Sequence, residues 1–126
     1  MRAAVGDGLA QDQAVLYIDS DAALRRFADA VLRDEYPVEA IAELDEVPDR
    51  LELVAIVINL SDIADPDSAL ARLNRRWPTI PVIVVLSAEA SAGLDRDALW
   101  ALGPDSIVVN PLAPGVLRSA VAAALS

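Results

Sequence analysis

The sequence predicts an α/β fold, a parallel five-stranded sheet with helices on both faces. Three observations carry that expectation. Five short apolar runs rich in β-branched residues lie at 14–18, 38–42, 53–58, 80–86 and 106–109. The longer segments between them place apolar residues three and four apart, the spacing of a helix with one buried face. The two kinds of segment alternate five times, which implies parallel strands joined by right-handed crossovers.

The elements follow in order. Residues 1–12 are small, polar and aperiodic and read as a loose extension, leaving 13–126 as the folded domain. "AVLYI" forms the first strand. "DAALRRFADAVLRDEY" follows as a helix with Leu24, Phe27, Ala28, Val31 and Leu32 on its stripe and Asp21 as its cap. After the strand "VEAIA", the segment "ELDEVPDRL" has room for only about two helical turns before Pro48. "LVAIVI" is a strand buried on both faces, and it ends in Asn59. The third helix, in "DPDSALARLNRRW", takes Ser68 or Asp67 as its cap. "IPVIVVL" runs up to Ser87, and Trp77 just before it covers the sheet edge or a contact surface. The fourth helix, "SAGLDRDALWALG", carries Leu99, Trp100 and Leu102 on its apolar stripe, with Trp100 in the core. "SIVV" is the fifth strand, and Pro114 suits an early position in a last helix that runs to the final residue. That abrupt end suggests a domain cut from a longer protein or a very compact one.

Composition sets the limits. A chain of 126 residues, 55% hydrophobic, makes one domain with a proper core. No apolar run is long enough to span a membrane, and the N-terminus lacks the apolar region of a signal peptide, so a cytoplasmic protein is expected. Without cysteine or histidine there is no disulfide frame, thiolate metal site or imidazole base. The formal net charge is −10 and every basic residue is arginine. Such a domain repels a phosphate backbone, so no direct nucleic-acid contact is expected, and any mechanism that needs a lysine is excluded. The arginine and alanine usage suits a GC-rich bacterial genome.

In a sheet of this kind, ligands bind beyond the C-terminal strand ends. There the chain places Asp19, Ser20 and Asp21, then Asn59, then Ser87, then Asn110 and Pro111. Their order and spacing resemble the CheY-like receiver domain of bacterial response regulators, over roughly residues 13–125. The resemblance rests on "VLYIDSDAALRR" for the acidic-pair strand and its helix, on Asn59 at the phosphoacceptor position, on "PVIVVLSA" for the fourth strand, and on "GPDSIVVNPL" where receivers read like "GADDYLVKPF". It implies a (βα)5 doubly wound, flavodoxin-like sheet with strand order 2-1-3-4-5.

The departures from that pattern concern the phosphoryl chemistry. The second acid of the pair is Ser20, the phosphoacceptor is Asn59, the family's lysine is Asn110, and Ile107 stands where an aromatic switch residue is usual. A carboxamide has no nucleophilic oxygen anion. A hard cation needs charged oxygen ligands, and Asp19 alone is a residual candidate, so Mg²⁺ binding is expected to be weak or absent and no cofactor is implied. A half-buried lysine without its aspartate would be an uncompensated charge; paired asparagines remove that cost and can bond each other or Ser87. The resemblance therefore implies a degenerate pocket of Asp19, Ser20, Asn59, Ser87 and Asn110, with a cis peptide expected before Pro111.

The function expected is a phosphorylation-independent pseudo-receiver: a non-enzymatic module for protein–protein contact or homodimerisation in bacterial signal transduction. Its contact face would be that of helix four, strand five and helix five, with Leu112, Val116 and Ala120 as interface candidates. One alternative is a small-molecule sensor with a ligand where phosphate once sat. Another is a Mg²⁺-dependent phosphatase resembling the haloacid-dehalogenase family, with Asp19 as nucleophile and Asp21 as general acid. Such enzymes use a later lysine or arginine and a further acidic pair; here no lysine follows Ser87, and no pair of adjacent acids follows a strand. Asp62 and Asp65 read as solvated loop acids.

Overall fold

The computed structural model describes residues 13–47, 52–61, 63, 65–87, 97, 100, 104, 106–109 and 114–125. Five strands form one sheet: β1 Gln13–Ile18, β2 Val38–Ile41, β3 Glu52–Asn59, β4 Val82–Leu86 and β5 Ser106–Val109. All neighbours are parallel, and the spatial order is β2-β1-β3-β4-β5, the 2-1-3-4-5 arrangement that the sequence implied. Every residue of β4 is buried, and so are the last five of β3, as a central parallel strand requires.

Helices α1 Ala22–Leu32, α2 Pro66–Arg76 and α3 Pro114–Leu125 pack on the sheet, among the described residues. Alternation along each strand splits the core into two layers. Val15 and Tyr17 of β1 meet Ala28 and Leu32 of α1 and Leu117 and Val121 of α3 on one face. Leu16 and Ile18 meet Leu70 and Leu73 of α2 on the other. Phe27 and Val31 pack at the margin of the first layer, so the stripe read along α1 is its buried side.

The caps show which expectations held. The Asp21 side chain accepts from the backbone N–H groups of Ala23 and Leu24 and starts α1. Helix α2 is capped by Asp65, which accepts from Ser68 N at 3.1 Å, and neither Ser68 nor Asp67 takes that role. The reason is Pro66: its fixed φ and missing N–H suit the first helical position, which puts the cap on the residue before it, Asp65. Asp65 is thus a structural residue and not merely a solvated acid. The segment expected to give a two-turn helix holds a single 3-10 turn, Leu44–Glu46, among its described residues. Glu46 Oε1 accepts from the N–H groups of Ala42 and Glu43 at 2.9 and 2.8 Å, an arrangement that stabilises one turn and needs no more.

Trp77 packs partly against the α2-side core, with the Arg76 guanidinium 4.4 Å from its ring centre. Trp100 is 45% exposed and not a core residue. An indole is large and rarely covered completely, and a stripe of three apolar residues does not decide which of them faces inward. Apart from Asp97, which is also helical and exposed, the rest of the fourth helix segment lies outside the described residues, as do residues 1–12.

Candidate functional site

The site sits where β1 and β3 end. Ile18 lies opposite Ile58 in the parallel register, which puts the next residues, Asp19 and Asn59, side by side at the C-terminal strand ends. Both are buried, at 2% and 7% exposure, in a surrounding of apolar side chains. A buried carboxylate is costly unless donors satisfy it. Asp19 Oδ2 accepts from the Asn59 carboxamide at 3.0 Å and from the Tyr17 hydroxyl at 2.8 Å. Asp19 Oδ1 accepts from the backbone N–H of Asp21 at 2.9 Å. The Arg25 guanidinium, one turn into α1, donates to the Asp19 carbonyl at 2.8 Å and ties the strand end to the helix.

Asn59 is fixed from both ends of its amide. Its Nδ2 donates to Asp19 while its Oδ1 accepts from Ser61 N at 2.9 Å. The Ser61 hydroxyl in turn accepts from the backbone N–H of Ser87 at 2.7 Å, which links the ends of β3 and β4. The asparagines were expected to hydrogen-bond each other or Ser87; between Asn59 and Ser87 the structure has this relay through Ser61. Burial, and then the hydrogen bond to Asp19, push the Tyr17 phenol well above the ordinary tyrosine range, so it stays a donor at any ordinary pH.

Of the residues expected at the site, the structure brings together Asp19, Asn59 and the backbone of Ser87. Ser20 is exposed at the mouth. Asp21 caps α1, so the residue that the phosphatase reading needs as general acid is committed to the helix start, and that reading gains nothing from the arrangement. Asn110, Pro111 and Leu112 lie outside the described residues, so a bond from Asn110 and the peptide before Pro111 are not among the features described. Val116 is 43% exposed, whereas Ala120 is partly buried against the α1–α3 core layer. Tyr17 and Ser61 are site residues that sequence reasoning passed over, and for Ser61, in the loop after the strand, the sequence held no signal. Tyr17 was different. Its signal was present: it stands two residues before Asp19, on the same side of a strand.

No family model matches the chain, and no curated protein matches it in sequence. Solved structures do. A response regulator receiver domain from Clostridium thermocellum superposes with a TM-score of 0.76, over 90% of this chain and 93% of that one, at 13% identity. The chain has the receiver fold. The chemotaxis protein CheY4 of Vibrio cholerae gives the same score over 92% of this chain and 100% of its own, at 17% identity. Full-length FixJ of B. japonicum matches at 0.75 and 17% identity, with 93% of this chain covering 59% of that longer one. Within the receiver fold, the ends of β1 and β3 are the places at which Asp19 and Asn59 stand. Among the described residues, no helix is long and apolar enough to cross a membrane.

Proposed function

We propose that this receiver-fold domain is a phosphorylation-independent pseudo-receiver, a regulatory and not a catalytic module that works by binding protein in bacterial cytoplasmic signalling. The observation that carries the reading is the hydrogen bond from Asn59 Nδ2 to Asp19 Oδ2. A phosphoacceptor must present a free carboxylate oxygen to the phosphodonor. The side chain in that position is an amide, and it is turned inward to donate to the one acid that a cation would need.

The same contacts bear on Mg²⁺. A carboxylate offers about four acceptor positions, and protein donors take three of them on Asp19. Among the described residues no three acidic side chains are placed to hold one metal ion between them. Weak or absent Mg²⁺ binding follows as part of the proposal. The contact face would lie on α3, where Val116 and Leu125 are exposed, with a second copy of the chain or another signalling protein as the partner.

The test is sedimentation of the purified domain across a wide concentration range, with and without Mg²⁺ and acetyl phosphate, and intact mass on the same samples. The proposal expects no phosphoryl adduct and an association state that ignores the donor. An adduct accompanied by a change in association would sink it.

A further inference from the structure

The described part of the connection from β2 to β3 stands beside a cavity large enough for a ligand. Crossovers between parallel strands usually carry a helix that covers the sheet. The described part of this one has only the 3-10 turn Leu44–Glu46, and a cavity of about 360 Å³ opens between that turn and α2. Ile18, Ile58 and Ala69 give it an apolar lining, while Glu43, Asp45 and Arg72 stand around it. It reaches Asp19 and Asn59 from the β2 side of the sheet, and among the described residues none of β4 or β5 lines it.

Two features point to what it holds. The first is hydrogen-bonding capacity on buried side chains. Asp19 has about one acceptor position beyond the three that protein donors fill, and the Asn59 amide, with two donor and two acceptor positions, uses one of each on the protein. The second is charge. Three acids, Asp19, Glu43 and Asp45, face one arginine, Arg72, so the described lining carries two formal negative charges in excess. The Arg72–Asp45 pair, at 2.5 Å, is exposed on both sides and holds the mouth weakly. An anion is disfavoured here. A bare divalent ion needs several oxygen ligands and makes no use of an apolar lining.

We propose that this cavity binds a small organic cation, an amine or amidine whose N–H groups meet Asp19 and Asn59 and whose apolar body lies over Ile18 and Ile58. Its volume is at the small end for ligand pockets, which suits a molecule of about one ring. The proposal goes beyond the protein-binding reading and does not depend on it.

The experiment is a titration of the ¹⁵N-labelled domain with 2-phenylethylamine, followed by two-dimensional NMR, with 2-phenylethanol, phenylacetate and MgCl₂ titrated in parallel. Saturable shifts of the Asn59 carboxamide and the Ala42–Asp45 amides are expected with the amine, weaker ones with the alcohol, and none with phenylacetate. In the Glu43→Gln/Asp45→Asn double variant, which changes two exposed side chains, affinity for the amine should fall roughly three- to ten-fold. Ala69→Phe should fill the space and abolish saturation, its folding being read from the rest of the spectrum; if it does not fold, the charge variant decides. Equal shifts with phenylacetate, the same shifts with MgCl₂ alone, unchanged affinity in the charge variant, or no saturable shift up to the solubility limit would each overturn the proposal. None of these results bears on whether the domain takes up phosphate.

Discussion

Three donors hold the Asp19 carboxylate, and one of them, the Tyr17 hydroxyl, comes from inside the hydrophobic layer. A hydrogen bond to a charged acceptor is worth about 1.5–3 kcal/mol, so Tyr17→Phe should lower stability in urea unfolding by roughly that amount without changing the fold. The phenol also gives a pH signature. Its folded value is raised above the ordinary 10.0 of a tyrosine, so the folded state keeps a proton that the unfolded state gives up. The stability tied to Tyr17 is therefore complete below about pH 10 and is lost as pH rises above that ordinary value toward the folded one. Of the two tyrosines, Tyr36 is the more exposed, and its phenol should ionise in the native state, whereas tyrosinate from Tyr17 should appear only with unfolding. Two equal native ionisations in an alkaline absorbance titration would contradict the buried contact. Asn59 was legible as a neutral residue in an acid's place because its position at a strand end could be counted. Its partner was not, since an amide at that point can bond to any of several neighbours. Tyr17 was hidden because an aromatic inside an apolar run reads as core, and only the strand geometry shows its hydroxyl reaching the acid two residues on.

Among the elements, the strands were the most legible part of the fold. A both-faces-buried strand must be apolar throughout, and β3 and β4 stand within two residues of the runs that announced them. The helix starts were less so, because "ADPDS" offers three side chains that can cap. Asp65 and Asp67 can be separated by mutation. Asp65→Ala removes the acceptor for Ser68 N and should cost about 1 kcal/mol, while Asp67→Ala loses only a first-turn charge, a few tenths of a kcal/mol. Thermal or urea unfolding of the two variants checks the order, and equal losses would mean that Asp65 is not the cap. The β2–β3 connection was the least legible. Its apolar spacing fits a short helix, yet Glu46 turns back onto the N–H groups of Ala42 and Glu43 and stabilises a single turn. The turn so formed lines the cavity beside Asp19 and Asn59.

The whole molecule carries twenty acids against ten arginines, a formal charge of −10. Net charge of this size loads the folded state with self-repulsion that the expanded chain relieves. The opposing term is small: among the described residues the ion pairs given by the structure are Arg33–Asp29 and Arg72–Asp45, both with solvent-exposed members, and such pairs contribute roughly 0–1 kcal/mol each. Salt screens both, but the repulsion sums over the whole surface while the pairs are local. Added NaCl should therefore raise the melting temperature, most steeply at low ionic strength, and level off near 0.1 M, where the screening length is about 10 Å. The same screening should favour association of one copy with another, since two domains of equal charge repel at a distance. Calorimetry and sedimentation along one salt series measure both effects. A melting temperature that falls with NaCl would mean that ion pairs outweigh the net charge. Dimerisation that weakens with NaCl would mean that opposite charges, and not the apolar residues of α3, hold the copies together.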